Sequence, residues 1–121
     1  YTNISHALSE SELYDLYKTA DIVTLISTLE GFGMPIIEAN TIGRVVLTSN
    51  VTSMPEIAGP AAHLVDPFDI RSIQEGFQRI INDDEYRDRL IVNGYENANR
   101  FNTKIIADQF FAYYRELAAL T

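Results

Sequence analysis

Short apolar runs separated by helix-length stretches constrain this chain more than any other feature. Residues 21–27 (DIVTLIS) and 44–49 (RVVLTS) are β-branched and apolar, and residues 62–67 (AHLVDP) form a shorter third run. Such runs mark strands covered on both faces, as in a parallel sheet. Between the first two, Pro35 reads as a first-turn helical residue and Gly43 as the stop after IIEANTI. Residues 9–20 (SESELYDLYKTA) put Leu13, Leu16 and Tyr17 on one helical face, with Ser9 or Ser11 as cap and Ser9 with Glu12 as a capping box. Residues 50–61 read as a loop with one helical turn around Pro55 to Ala58.

The remainder is helical. Ile70, Ile73, Phe77, Ile80 and Ile81 form one stripe, and Leu90, Ile91, Gly94 and Ala98 a second. The third holds Ile105, Ile106, Phe110, Tyr113, Tyr114 and Leu117. Strand–helix–strand alternation at these lengths gives an α/β fold, a Rossmann-like parallel sheet with flanking helices and right-handed crossovers. Three or four strands are few for such a sheet, so further strands are expected upstream of Tyr1. The 121 residues fit one domain or part of one, and the chain is read as an excised piece.

The net charge of −8 argues against a nucleic-acid partner and against docking on an anionic membrane. The absence of cysteine excludes disulfides, thiolate metal sites and cysteine nucleophiles. No apolar run approaches the roughly 18 residues of a membrane span, and the first ten residues are not a signal peptide. A cytoplasmic location is expected, with peripheral attachment of the full-length protein to a membrane as a variant of it.

The chemistry concentrates in EGFGMPIIE, residues 30–38. In parallel α/β sheets ligands bind beyond the carboxyl ends of the strands, and Glu30 follows the first strand at that edge. Gly31 and Gly33 permit a tight turn and close approach of a ligand. With Pro35 as first helical residue, the N–H groups of Gly33, Met34 and Ile36 are free at a helix N-terminus, which favours phosphate. Glu38, about one turn inside the helix, can accept hydrogen bonds from a vicinal diol such as a ribose, and Glu30 from a sugar hydroxyl. Residues in this order suit a nucleotide sugar. Ordinary punctuation of a strand–helix junction, with acids complementing the helix dipole, fits the same residues.

EGFGMPIIE also resembles the E-x7-E motif of retaining GT-B glycosyltransferases of the family 4 (group 1) type. LYKTAD (16–21), SMPEIAG (53–59) and LVDP (64–67) are similar to that family's neighbouring motifs, in the same order and at the expected separations. The resemblance covers nearly the whole chain. It implies that residues 1–121 are the C-terminal nucleotide-sugar (donor) binding domain of a GT-B fold, truncated on its N-terminal side. It implies that Glu38 binds the ribose hydroxyls and that Glu30, the catalytic candidate, contacts the transferred sugar. Gly31, Phe32, Gly33 and Met34 would line the sugar and diphosphate, mainly through backbone. The implied reaction is transfer with retention to a glycan, lipid or polysaccharide acceptor, held by an N-terminal domain upstream of Tyr1. An Arg and a Lys also upstream would neutralise the diphosphate. No metal and no other cofactor is implied, the donor being a substrate. Alternatives on the same fold are a non-catalytic nucleotide-binding or interaction module and a nucleotide-sugar epimerase. The chain departs from the family's usual residues at Asn40, Thr41 and Arg44, which alters packing more than ligand contacts.

Other features read more simply. Ser53 with Glu56 fits a helix cap, although that polar loop lies at the ligand edge. His6 and His63 lack metal spacing and read as surface or strand-end residues. The acids at 82–85 read as caps, and the Asn3 and Asn50 sequons as chance. The aromatic stripe of the last helix reads as core or inter-domain packing, with exposure or a homodimer contact as the alternatives.

Overall fold

The computed structural model describes residues 4–120. Its elements run α1 (Glu10–Thr19), β1 (Ile22–Leu25), α2 (Met34–Thr41), β2 (Val45–Ser49) and α3 (Met54–Ala58). A single 3-10 turn (Gly59–Ala61) leads into β3 (Ala62–Val65), and α4 (Ile70–Asn82), α5 (Asp84–Arg100) and α6 (Thr103–Ala119) follow. The strands pair in parallel in the order β1-β2-β3, with Val23 opposite Val46 and Leu47 opposite His63. The Asn3 sequon begins outside the described residues.

All five residues of β2 are buried, as a central strand between two covered faces requires. The side chains divide by alternation. Val46 joins Ile36, Ala39, Met54, Ile57, Ala58 and Ala62 on the face covered by α2 and α3. Val45 and Leu47 join Val65, Ile80 and Leu90 on the face covered by α4 and α5. β1 departs from expectation. It lies at the edge of the described sheet and is only half-buried, with Thr24 exposed.

Local sequence explains the helix limits. Ser9 and Glu12 form the reciprocal capping box of α1. α2 stops at Gly43, whose φ of +71° suits glycine. There Arg44 N–H donates to Ala39 O at 2.8 Å and Gly43 N–H to Asn40 O at 3.1 Å, a Schellman ending. Asp83 Oδ1 accepts from Tyr86 N–H and caps α5, so the acids at 82–85 do begin a helix.

Two helical stripes differ from the reading of the sequence. Of the apolar stripe on α4 only Ile80 is fully buried, while Ile73 and Phe77 pack beside it and Ile70 and Ile81 are exposed. The helix approaches the sheet through Gly76, which narrows the apolar strip that touches the strands. On α6 no residue is buried, so its aromatic stripe is not core within the described residues.

The Gly76 contact sets the spacing between α4 and the sheet. A Cβ there would lie 2.7 Å from Val65 Cγ1 and 2.9 Å from Leu47 Cδ1, both in the core. Gly76→Ala is expected to destabilise the fold by about 1–3 kcal/mol through overpacking. Urea denaturation checks this as a lower midpoint at unchanged slope.

Candidate functional site

The carboxyl end of β1 opens into residues 26–33. Thr48 Oγ1, buried at the end of β2, donates to Leu25 O at 2.8 Å and ties the two strand ends together. The loop closes at Gly33, the N-cap of α2, with φ 101° and ψ 44°. That left-handed backbone demands glycine, and a Cβ would also press to 3.1 Å from Ile36 Cδ1. Gly31 has no positive φ, and a Cβ there would meet nothing within 4 Å, so the space beside it is open to a ligand.

The helix begins one residue earlier than the proline suggested, with Met34 first and Pro35 second. Ile36 N–H is not free, because it donates to Gly33 O at 3.0 Å. The proline removes one N–H and this tight turn consumes another, so the free donors shift upstream. Among the described residues, the N–H groups of Gly31, Phe32, Gly33 and Met34 have no acceptor. These four sit at the positive end of the α2 dipole, between the two glutamates.

Hydroxyls from elsewhere in the chain hold both glutamates. Tyr17 of α1 donates to Glu38 Oε2 at 2.6 Å, leaving Oε1 without a hydrogen bond to any described residue. Glu30 is held by its backbone. Its N–H donates to Thr52 Oγ1 at 3.3 Å, and its carbonyl accepts from Ser53 Oγ at 3.0 Å. Ser53 Oγ also reaches Phe32 O at 3.1 Å. Ser53 stands at the start of α3 but makes no side-chain cap bond, so the cap expected there is replaced by a tie to the loop. The Phe32 ring packs edge-on to Phe101, with centroids 5.8 Å apart and the planes at 86°.

Sequence reasoning therefore found the loop but not what holds it. In the sequence Tyr17 reads as a packing residue, Ser53 as a cap or as part of a polar loop at the ligand edge, and Thr52 only as the end of a sequon. No spacing rule links Tyr17 to a carboxylate 21 positions away. The one available signal was a polar loop at the same sheet edge.

A groove of about 440 Å³ between α1 and α2 is lined by Leu13, Tyr14, Tyr17, Met34, Ile37 and Glu38. A second cavity, about 410 Å³, lies at the opposite ends of the strands, where Ile22 and Val45 begin them, beside Asp21, Arg44 and Arg87. The histidines stay apart from the loop glutamates. His6 is exposed, and His63 pairs through Nδ1 with Tyr86 OH at 2.7 Å beneath α4. Burial, with the Arg79 charge second, pushes His63 below its ordinary value. Among the described residues no group of three His, Asp or Glu side chains could hold a metal, and no helix is long and apolar enough to cross a membrane.

The Tyr17 phenol is pushed well above its ordinary value, first by burial and then by the hydrogen bond to Glu38 and its charge. This proton-retaining contact stabilises the fold fully below about pH 10, the ordinary tyrosine value, and the contribution is lost as pH rises through the raised folded value. In an absorbance titration of phenolate, Glu38→Gln is expected to bring Tyr17 ionisation to lower pH. It should remain later than for a free tyrosine, because the burial persists.

Residues 2–97 match the family described as glycosyl transferases group 1. The O-antigen chain mannosyltransferase B of Escherichia coli is 34% identical over 108 residues, 89% of this chain and 28% of that protein. The MMP alpha-(1->4)-mannosyltransferase of Mycolicibacterium hassiacum is 31% identical over 95% of this chain and 29% of its own length. The chain thus spans less than a third of these relatives. The sucrose-phosphate synthase of Thermosynechococcus elongatus superposes with a TM-score of 0.74 at 32% identity, over 88% of this chain and 27% of that one. The C-terminal domain of a group 1 family glycosyl transferase from Francisella tularensis superposes with a TM-score of 0.69 at 28% identity, over 79% of this chain and 50% of that one. The chain belongs to the group 1 glycosyl transferases, and what it matches is the C-terminal domain of their GT-B architecture.

Proposed function

We propose that this chain is the donor-binding part of a retaining glycosyltransferase. The enzyme would move a sugar from a nucleoside-diphosphate sugar to a hydroxyl on a glycan, lipid or polysaccharide. One observation carries the reading: four unpaired backbone N–H groups lie between two carboxylates, at a helix N-terminus beyond the carboxyl ends of parallel strands. In this assignment Glu38 accepts the ribose hydroxyls through its open Oε1 while Tyr17 holds Oε2. The N–H groups of Gly31, Phe32, Gly33 and Met34 receive the diphosphate and neighbouring sugar oxygens, and Glu30 meets the transferred sugar. The two relatives named as mannosyltransferases make a mannosyl group the first sugar to try.

The reaction breaks the bond between the sugar's C1 and the diphosphate oxygen. The acceptor oxygen bonds C1 on the same face, and its proton passes to the departing phosphate. A chain of net charge −8 is poorly suited to neutralise that phosphate alone, so the reading assigns the balancing cations and the acceptor surface to the rest of the enzyme.

Titration calorimetry with UDP and GDP tests the assignment. Glu38→Ala is expected to weaken the better-bound nucleotide about tenfold or more, because hydrogen bonds to a charged group contribute about 1.5–3 kcal/mol. Unchanged affinity in that variant removes the ribose role. Glu30→Ala should bind the bare nucleotide normally and the nucleotide sugar less tightly; equal losses for both would remove Glu30 from the sugar.

A further inference from the structure

We propose that Ser53 is a positioning residue that aims the N–H groups of Gly31 and Gly33 at the donor's diphosphate, an inference that rests on the donor-binding reading above. Every peptide bond among the described residues is trans. In a planar trans peptide the C=O and the following N–H point in opposite directions. Ser53 Oγ holds the carbonyls of Glu30 and Phe32, at 3.0 and 3.1 Å, so both face α3. The N–H groups of the same two peptides belong to Gly31 and Gly33, and they therefore face the other way. There they meet no protein acceptor, although Gly33 is buried. One hydroxyl proton, shared between two carbonyls, thus sets the direction of two donors.

Thr52 reinforces the arrangement. It is the one non-glycine residue with positive φ among those described, at 55°, an uncommon conformation for a β-branched residue. Such backbone persists where its surroundings over-determine it. Its Oγ1 takes up the Glu30 N–H, which removes that group from the ligand side. The loop between the strands is left with N–H groups selected for an anion: Glu30 turned in, Gly31 and Gly33 turned out. Gly31, with open space around it, has no packing of its own to fix this orientation. Ser53 supplies the fixing.

The test is a titration of the ¹⁵N-labelled chain with UDP and GDP, with uridine and guanosine, and with inorganic pyrophosphate. In the unvaried chain the amide signals of Gly31 and Gly33 are expected to move on adding pyrophosphate while that of Glu30 stays. Ser53→Ala should lose at least tenfold in affinity for the nucleoside diphosphate, keep its affinity for the nucleoside, and no longer shift the two glycine amides. Ser53→Thr, which keeps the hydroxyl, should restore the diphosphate affinity and the shifts of both glycine amides. Diphosphate affinity unchanged in Ser53→Ala overturns the proposal, as does an equal loss of nucleoside and nucleoside diphosphate, which would mark a merely structural serine. A shift of Glu30 rather than the glycines in the unvaried chain overturns it without any variant. Failure of the unvaried chain to bind either nucleotide overturns the donor-binding reading itself.

Discussion

The complete burial of β2 governs the rest of this structure. A strand covered on both faces needs helices above and below, and parallel neighbours reached by crossovers bring every strand's carboxyl end to one edge. The loops after β1 and β2 are therefore neighbours without any direct sequence relation. Thr48 fastens the two strand ends, and Thr52 and Ser53 then fall beside Glu30 and Phe32. The site follows from the sheet, since the second loop is delivered to the first by the same pairing that builds the core.

Much of this was legible in the chain. The three strands, the capping box of α1, the glycine stop of α2 and the short helix at 54–58 all rest on local signals: β-branched runs, Ser-x-x-Glu spacing, and a residue that tolerates positive φ. The family resemblance, carried by several motifs in order, pointed to the fold and the glycosyl transferase family together. What stayed hidden was non-local. Whether β1 is central or at an edge depends on what pairs with it. The exposure of Ile70 and Ile81 depends on how closely Gly76 lets α4 approach. Tyr17 and Ser53 looked like packing and capping residues because their partners lie beyond any helical or strand period.

On the proposed donor-binding reading, an acidic chain receives an anion without a basic patch. Its donors are backbone dipoles, unpaired because a left-handed glycine and a proline interrupt the helix start. The two carboxylates of Glu30 and Glu38 flank these donors and, on the same proposed reading, take the hydroxyls. Holding such groups from behind with uncharged hydroxyls adds no competing charge at the site.

The link between α2 and α5 has a mechanical consequence. Asn97 Nδ2 donates to Asn40 Oδ1 and to Ile57 O, both at 2.9 Å and buried, and Arg100 in turn donates to Asn97 Oδ1. Gly94 brings the two helices close enough for this, with Asn40 Nδ2 3.1 Å from where a Cβ would stand. The loop before α2 is fastened to the same region by Phe32 against Phe101. The shelf that carries the free N–H groups and Glu38 is thus held at one end by α5 and at the other by Phe101, the residue that follows it. A substitution at Asn97 or Phe101 therefore bears on the loop and on α2 together, although neither residue lies beside Glu30 or Glu38 in the sequence.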